Sequence, residues 1–200
     1  MLVLATHNPG KLREMARLAP DLASRAITLA DAGVSEEAPE SGSTFEENAR
    51  MKASHYGGVL RKPTLAEDSG LCVDALGGGP GVLSARFLPE LAYPEKNLWL
   101  AREVSGRDRR ARYVSVFALW LPAAGIALVA RGEVEGEIAA EPRGTEGFGY
   151  DPVFLVPSLG KTFGEMTPSE KDALSHRRRA LDALREKLAA RREEWETIAR

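Results

Sequence analysis

The segment Thr6-His7-Asn8-Pro9-Gly10-Lys11 has the residue types of a phosphate-binding turn. The apolar run Leu2–Ala5 before it is typical of a buried strand, and Asn8 followed by Pro9 is typical of a helix start. A strand that turns into a helix N-terminus directs free backbone N–H groups and the positive end of the helix dipole to one point. Lys11 adds a full positive charge, although a plain helix cap with a surface lysine is the alternative. The spacing matches neither the Walker loop nor the dinucleotide-binding motif.

Two adjacent carboxylates, Glu67 and Asp68, follow a predicted short strand at Pro63–Ala66. Carboxylates at strand ends in α/β sheets lie where ligands bind. Hard oxygen ligands suit Mg²⁺, which takes one or two carboxylates together with water and substrate phosphates. Glu40, in an acidic loop upstream, is a candidate for another carboxylate. A bound metal would lower the pKa of its water, and a nearby aspartate could accept the proton. A solvated acidic turn is the alternative.

A third candidate is the glycine-rich run Gly147-Phe148-Gly149-Tyr150-Asp151. Glycines on both sides of an aromatic residue expose its ring, and an exposed ring can stack on a nucleobase. Asp151 can accept hydrogen bonds from a sugar or a base. The alternative is a tight loop with its aromatic residue in the core.

The fourth candidate is Lys171 together with Ser175-His176-Arg177. His176 and Arg177 are donors that could bind a carbonyl oxygen on a base. The alternatives are a structural histidine and a solvated basic helix face.

A second helix must position Lys52. The pattern Ser43-Thr44-Phe45-Glu46 is a capping box that predicts the start of this helix. Its apolar positions form one stripe: Phe45, Ala49, Ala53 and Tyr56. Asn48 and Lys52 share another face at i, i+4 spacing, so Lys52 either faces a site or is simply on the solvent side.

The long uncharged run from Tyr113 to Ala130 predicts a hairpin rather than a membrane span. Its length approaches that of a membrane helix, but Pro122-Ala123-Ala124-Gly125 reads as a turn. The β-branched and aromatic residues before the turn are typical of a strand buried on both faces. We therefore expect antiparallel strands over about residues 110–121 and 126–136.

Shorter patterns complete the class assignment. Short strands are predicted near residues 25–29 and 153–156, and a C-terminal helix starts at Thr167-Pro168 and is interrupted near Ser175. A first helix is predicted from the spacing of its apolar residues, which are Leu12, Met15, Ala16 and Ala19. A third helix is predicted in the same way from Leu98, Ala101 and Val104. The chain is predicted to be α/β, with a mixed β-sheet and flanking helices.

Composition bounds the function. The 200 residues include 27 Lys or Arg and 29 Asp or Glu, for a net charge of −2, and 44% are hydrophobic. This profile indicates a folded chain of one domain, or of two small lobes, and no protein built to coat nucleic acid. The single Cys72 cannot form an internal disulfide, and the N-terminal apolar run is too short for a signal peptide. A cytoplasmic location without a membrane partner is the expectation.

The near-neutral balance is a cancellation between two regions. Residues 31–48 contain six acidic and no basic residues, whereas residues 171–192 contain eight basic and three acidic ones. The first region is competent to bind a metal and the second to face phosphate or a base.

Taken together, six segments in this order resemble the inosine triphosphatase-like family of pyrophosphatases acting on non-standard purine nucleoside triphosphates. The segments are Ala5 to Lys11, Ser43 to Ala49, Glu67 to Leu71, Gly77 to Gly81 with Ser84 to Phe87, Gly147 to Pro152, and Glu170-Lys171 with Ser175 to Arg177. The resemblance covers nearly the whole chain. Residues 88–97 look shorter than in many relatives, and Leu83 stands where an aromatic residue is common.

The resemblance implies one pyrophosphatase domain over residues 1–200, elongated, with two lobes around a central cleft, and usually a homodimer. It also implies Mg²⁺-dependent hydrolysis of ITP, dITP or XTP to the monophosphate and pyrophosphate. Two other functions stay open from the residues. One is a related pyrophosphatase acting on modified pyrimidine or standard nucleotides, and the other is a non-catalytic binder of nucleotides or nucleic acid.

Site roles follow from the resemblance. The triphosphate would be bound by Thr6, His7, Asn8, Pro9, Gly10, Lys11 and Lys52. Glu40 and Asp68 would hold Mg²⁺, with Glu40 preferred over Glu36 and Glu37 on its spacing to Thr44-Phe45. Asp68 would also accept the proton of the attacking water, and Ser69 would contact the substrate.

The base and ribose would be bound by Phe148, Gly149, Tyr150, Asp151, Lys171, His176 and Arg177. Phe148 would stack on the base, and the donors would lie near the purine 6-position. A 6-keto group accepts hydrogen bonds where the 6-amino group of adenine donates them, so ATP would leave these donors unpaired. This does not account for rejection of GTP.

Overall fold

A computed structural model describes residues 1–191, which form an α/β structure on one seven-stranded sheet. The strands are β1 (Leu2–Ala5), β2 (Ala26–Thr28), β3 (Thr64–Val73), β4 (Arg110–Leu121), β5 (Gly125–Ile138), β6 (Phe154–Val156) and β7 (Lys161–Thr162). Their order in the sheet is β2-β1-β3-β4-β5-β6-β7. β1 is parallel to β2 and β3, while β6 is antiparallel to β5 and β7. The predicted mixed sheet is therefore confirmed.

Six α-helices accompany the sheet in the described residues. They are α1 (Pro9–Leu18), α2 (Pro20–Ala23), α3 (Phe45–Leu60), α4 (Tyr93–Glu103), α5 (Pro168–Asp172) and α6 (His176–Ala189). The predicted break at Ser175 is confirmed, and so is the hairpin, since β4 and β5 are neighbours joined by a turn at 122–124. None of these helices combines the length and apolarity that crossing a bilayer requires.

Glu67 and Asp68 were expected to follow a short strand, but they lie inside a long one. β3 continues from Thr64 to Val73, and Glu67 and Asp68 are buried within it. Polar residues are tolerated there because each carboxylate has partners from elsewhere in the chain, which removes the cost of burying it alone. Cys72 is buried in the same strand.

Three local predictions need correction. The N-cap of α3 is Thr44, which accepts a hydrogen bond from the Glu47 amide at 3.1 Å, rather than Ser43 paired with Glu46. Leu98 is exposed because α4 contacts the core through Leu100 and Ala101 instead. Ala16 is also exposed, whereas Met15 and Ala19 are buried as predicted, and Gly10, Glu14 and Leu18 complete the buried face of α1.

The residues divide into two compact units. Among the described residues, the first comprises Met1–Asp68, Ser115–Gly132 and residues 177–191. Its apolar core is formed by β1, β3, β4 and β5 with α1, α2 and α6, and includes Leu4, Leu65 and Leu181. Truncation of one such leucine to alanine typically costs about 2–5 kcal/mol. Gly57 of α3 has no side chain to collide with the Trp120 ring, so the helix can approach β4 closely.

The second unit comprises Ser69–Val114 and Glu133–His176. Its core gathers α4, the other ends of β3, β4 and β5, and the loop before β6. It contains a cluster of aromatic rings: the Tyr113 ring lies 4.7 Å from that of Phe154 and 5.8 Å from that of Phe163, centroid to centroid. Rings at these separations add specific orientation to hydrophobic burial.

Candidate active site

The turn from β1 into α1 is built by local hydrogen bonds. The Asn8 side chain accepts from the amides of Gly10 at 2.8 Å and Lys11 at 3.3 Å. Thr6 Oγ1 accepts from the Asn8 amide at 3.1 Å. These amides are thus engaged within the turn, which corrects the expectation that they are free for phosphate. The dipole of α1 and the Lys11 ammonium provide the positive field there.

One side of β3 carries a buried ion-pair cluster. Arg177 Nε donates to the two oxygens of Glu67 at 3.0 and 3.1 Å, and its Nη1 donates to Glu14. Ser115 Oγ donates to Glu67 at 2.8 Å, and Lys11 Nζ lies 3.7 Å from the same carboxylate. Burial alone would lower the pKa of Arg177, but Glu67 and Glu14 hold it above its usual range. Two acids and two bases balance each other here, as buried charges require.

Arg177 is predicted to donate to the base, but Glu67 and Glu14 already accept its hydrogen bonds. Only 1% of the Arg177 side chain is exposed, and it is bonded to Glu67 and Glu14 in the first unit. Sequence reasoning missed Glu14 and Ser115. The available signal was a charged residue, Glu14, on the apolar face of α1.

A second cluster of charged and polar side chains surrounds Asp68. Lys52 Nζ donates to Asp68 Oδ1 at 2.8 Å and to Glu40 Oε1 at 2.7 Å. Asn48 Nδ2 donates to Asp68 Oδ2 at 3.3 Å, while its own carbonyl accepts from the Gly42 amide. Asn48 and Lys52 thus share one face of α3, as predicted. That face is turned into the protein, because Lys52 is only 8% exposed, so the solvent-facing alternative for Lys52 is wrong.

The charges of this cluster shift one another's pKa values. Burial raises the pKa of Asp68 above its usual value, and the opposing effects of Lys52 and Lys11 do not cancel this. Burial lowers the pKa of Lys52, but Asp68 and Glu40 more than offset it and hold the pKa above its ordinary value. Burial also lowers the pKa of Lys11, against the attraction of Glu67. A carboxylate with a raised pKa is a better proton acceptor than a fully solvated one.

The Glu40–Asp68 pair fits a hard divalent cation. The two oxygens lie no more than 5.5 Å apart, the sum of their 2.7 and 2.8 Å distances to Lys52 Nζ. Within residues 1–191 there is no group of three or more metal-ligating side chains. Two carboxylates suffice for a cation that completes its coordination with water and substrate phosphates, as Mg²⁺ does. Glu40 is the carboxylate of the acidic loop that shares Lys52 with Asp68.

In the second unit, Asp151 organises the glycine-rich loop. Its Oδ2 accepts from Lys171 Nζ at 2.6 Å and from the Phe148 amide at 2.7 Å. Gly147 has a φ of +76°, and a Cβ there would collide with the Asp151 carboxylate, so the turn requires glycine. Lys171 Nζ lies 5.2 Å from the centroid of the half-buried Phe148 ring. Phe148 and Lys171 are thus brought together as predicted, while the Asp151 bonds shown here hold the loop itself.

The remaining predicted residues have these surroundings. His176 stacks on Tyr113, with ring centroids 4.7 Å apart and planes 10° from parallel. Tyr150 is buried and its hydroxyl donates to the Ser84 carbonyl at 3.0 Å. The Gly149 carbonyl accepts from Asn97 Nδ2 at 3.1 Å, a contact that sequence reasoning missed. Ser69 is half-buried and directly follows Asp68 on β3.

Comparison with known proteins decides the family. The model of the Ham1 family matches residues 2–187 of this chain. The chain belongs to the Ham1 family. A dITP/XTP pyrophosphatase from Symbiobacterium thermophilum is 49% identical over 198 residues, covering 96% of this chain and 97% of that protein. One from Escherichia coli K12 is 47% identical over 193 residues, covering 92% and 98%.

A solved Ham1 structure also matches the fold. The HAM1 protein from Coxiella burnetii superposes with a TM-score of 0.84 at 41% identity, covering 94% of this chain and 98% of that one. The resemblance drawn from the six segments is therefore confirmed at the level of the family and the fold.

Proposed function

We propose that this protein hydrolyses the non-standard purine nucleoside triphosphates ITP, dITP and XTP to the monophosphate and pyrophosphate. The observation that carries the proposal is the Glu40–Lys52–Asp68 cluster, found in a Ham1 chain. Relatives up to 49% identical over nearly the whole chain are named dITP/XTP pyrophosphatases, which supports the same reaction here. Removal of such nucleotides from the nucleotide pool would be the consequence.

The cofactor in this proposal is Mg²⁺, held by Glu40 and Asp68. When bound, it would offset the charge of the triphosphate and make water easier to deprotonate. The Lys52 amine donates to both carboxylates and keeps them close together. When a cation binds the carboxylates, the Lys52 amine can donate to phosphate oxygens instead. The paired carboxylates and the amine are all in the first unit.

The hydrolytic step follows from these groups. Asp68 accepts a proton from the attacking water, whose oxygen forms a bond to the α-phosphorus. The bond from the α-phosphorus to the bridging oxygen breaks, and pyrophosphate leaves with that oxygen. Lys11 and Lys52 bind the phosphates, together with the rest of the turn from Thr6 to Gly10. The raised pKa of Asp68 supports its part as proton acceptor.

The remaining site residues are assigned to the base and the ribose. Phe148 stacks on the purine, and the loop to Asp151 holds base and ribose through Gly149, Tyr150 and Asp151. Lys171 and His176 lie around the base, and Ser69 contacts the substrate. Arg177 can donate to a 6-keto oxygen only by exchanging one of its bonds to Glu14 or Glu67 for that oxygen. A site that presents donors there disfavours ATP.

The direct test is a substrate panel. Pure protein is incubated with Mg²⁺ and, separately, with ITP, XTP, GTP, ATP and a modified pyrimidine triphosphate. The proposal predicts that monophosphate and pyrophosphate form faster from ITP or XTP than from ATP. Equal or faster turnover of ATP or of the pyrimidine would favour the alternative pyrophosphatase. Turnover that survives EDTA would contradict the metal assignment, and salt-dependent DNA binding without hydrolysis would favour the non-catalytic binder.

Three broader expectations stay predictions: the homodimer, the single domain with one cleft, and the cytoplasmic location. Sedimentation equilibrium of the pure protein checks the first. A two-chain species at micromolar concentration is expected, and a monomer would contradict it.

A further inference from the structure

Tyr56, on α3, is a buried residue of the first unit that bonds to the acidic loop, the segment from Glu36 to Glu40. Its hydroxyl accepts a hydrogen bond from the Ala38 amide at 2.9 Å and donates one to the Glu36 carbonyl at 3.0 Å. Tyr56 is only 3% exposed, and the bond from Ala38 is buried while the bond to Glu36 is partly buried. The two bonds hold the loop main chain on either side of Glu37. We call these two hydrogen bonds the clamp.

The clamp lies two residues before Glu40. Pro39 stands between them, with a fixed φ, and it restricts the conformation of Ala38 as well. Fixing the loop at Ala38 therefore limits where the Glu40 carboxylate can lie. Ordering loop residues costs conformational entropy, so a loop without these hydrogen bonds would spread Glu40 over many conformations.

Tyr56 also lies one helical turn from Lys52, at i, i+4 spacing, and the two residues face the same way. Lys52 binds the Glu40 carboxylate while Tyr56 binds the main chain of the same loop. The phosphate turn meets this point too, since His7 Nε2 lies 3.3 Å from the Glu36 carbonyl and the His7 ring packs edge-on against Tyr56 at 6.3 Å.

We propose that Tyr56 is a positioning residue for the divalent cation, because its hydroxyl holds the acidic loop where Glu40 and Asp68 can bind the same ion. The inference deepens the proposed function and rests on it. It assigns to an aromatic stripe residue of α3 a role that its burial alone does not require.

The experiment compares Tyr56→Phe with Thr64→Val in the full chain. Tyr56→Phe removes only the hydroxyl and leaves the ring. Thr64→Val is the matched control, because it also removes one buried hydroxyl of the first unit, which donates to the Lys62 carbonyl at 2.9 Å and does not touch the loop. Hydrogen exchange of the peptide containing Ala38 reports whether the clamp has opened. Mn²⁺ binding followed by electron paramagnetic resonance reports the site without turnover.

The loss of two hydrogen bonds should weaken Mn²⁺ binding by about fivefold to thirtyfold in Tyr56→Phe, with faster exchange at Ala38. The Mg²⁺ concentration for half-maximal ITP hydrolysis should rise by a similar factor, with kcat at saturating Mg²⁺ retained. Thr64→Val should bind Mn²⁺ like the wild type. If Tyr56→Phe does not fold, Ala38→Pro removes the partner amide from the loop side and is expected to weaken Mn²⁺ binding in the same way.

Two failures are distinguishable. In the first case, the wild type binds Mn²⁺ and hydrolyses ITP, and Asp68→Asn does not bind Mn²⁺. If Tyr56→Phe then binds Mn²⁺ with wild-type affinity despite faster exchange at Ala38, only the role of Tyr56 is wrong. If the wild type neither binds Mn²⁺ nor hydrolyses ITP, the proposed function is wrong and the role of Tyr56 fails with it.

Discussion

Glu67 and Asp68 are neighbours on one strand but have opposite surroundings. Successive side chains of a strand point to opposite faces of the sheet. Glu67 faces α1 and α6, where it is bonded to the fully buried Arg177. Asp68 faces α3, where its partner Lys52 is shared with Glu40, whose side chain is 31% exposed. Glu67 is thus sealed into a balanced cluster, while Asp68 can exchange its partner for a ligand.

In the proposed mechanism, this difference separates a structural carboxylate, Glu67, from a reactive one, Asp68, although both are ordinary acidic side chains. The Glu67 carboxylate already faces a buried guanidinium and a lysine ammonium, so a further cation there would add unbalanced positive charge to the cluster. A carboxylate bonded by a flexible lysine amine and a side-chain amide can release them at small cost, because the amine finds phosphate oxygens as new partners. The side chains that contact each carboxylate on its own face of the sheet therefore decide whether that carboxylate is structural or reactive.

The largest effect is expected from Asp68→Asn. It keeps the shape of the side chain but removes the proton acceptor and one of the two oxygens that accept from Lys52 and Asn48, so kcat for ITP should fall by about 10²–10⁴-fold or more. Nucleotide binding should be retained, as measured by equilibrium titration with ITP. A variant that retains wild-type turnover would show that another group accepts the proton.

Glu67→Gln should act on stability rather than on chemistry. It leaves Arg177 buried with only Glu14 as a carboxylate partner, and breaking a buried pair in this way costs about 3–5 kcal/mol. Urea unfolding of the two variants side by side measures the contrast. Asp68→Asn should be much closer to the wild type, since burial already raises the pKa of Asp68 and disfavours its charge. Equal destabilisation of both variants would remove the distinction between the faces.

Glu40→Gln should be intermediate in effect and specific for the metal. It removes one of two carboxylates, so the Mg²⁺ concentration for half-maximal activity should rise by at least about tenfold. Glu37→Gln is the matched control from the same loop and should leave this concentration unchanged. A rise in Glu37→Gln with none in Glu40→Gln would transfer the ligand role to Glu37.

The smallest effect is expected at an exposed carboxylate, Glu170. Hydrogen bonds from Lys161 and from Thr167 at the start of α5 lower its pKa to about 2. A lowered folded-state pKa stabilises the protein above pH 4.5, and this contribution is lost as the pH falls toward 2. The small difference in melting temperature between wild type and Glu170→Gln should therefore shrink between pH 5 and pH 3. A difference that grows over this range would contradict the sign.

Local chemistry made much of this molecule predictable from its sequence. The cap at Asn8, the hairpin turn at 122–124 and the break at Ser175 each depend on a few adjacent residues, and all three are confirmed. The cap of α3 was misplaced by one residue because Ser43 and Thr44 both fit the pattern. Distinguishing them needs the side-chain geometry itself.

The partners of the two carboxylates could not be predicted in the same way. Glu67 and Arg177 are 110 residues apart, and Glu14 and Arg177 are 163 apart. No periodicity connects such residues, since their contact depends on how α1 and α6 pack on the same face of the sheet. The sequence therefore placed Glu67 and Asp68 together as an acidic pair, whereas the fold assigns them to separate faces.

The central claim, attack of water on the α-phosphorus, is tested most directly by hydrolysis of ITP in H₂¹⁸O with Mg²⁺ and the wild-type protein. The account predicts inosine monophosphate that carries one ¹⁸O and pyrophosphate that carries none, with no such products from Asp68→Asn beyond the uncatalysed background. Label in the pyrophosphate, or release of inosine diphosphate and inorganic phosphate, would contradict it.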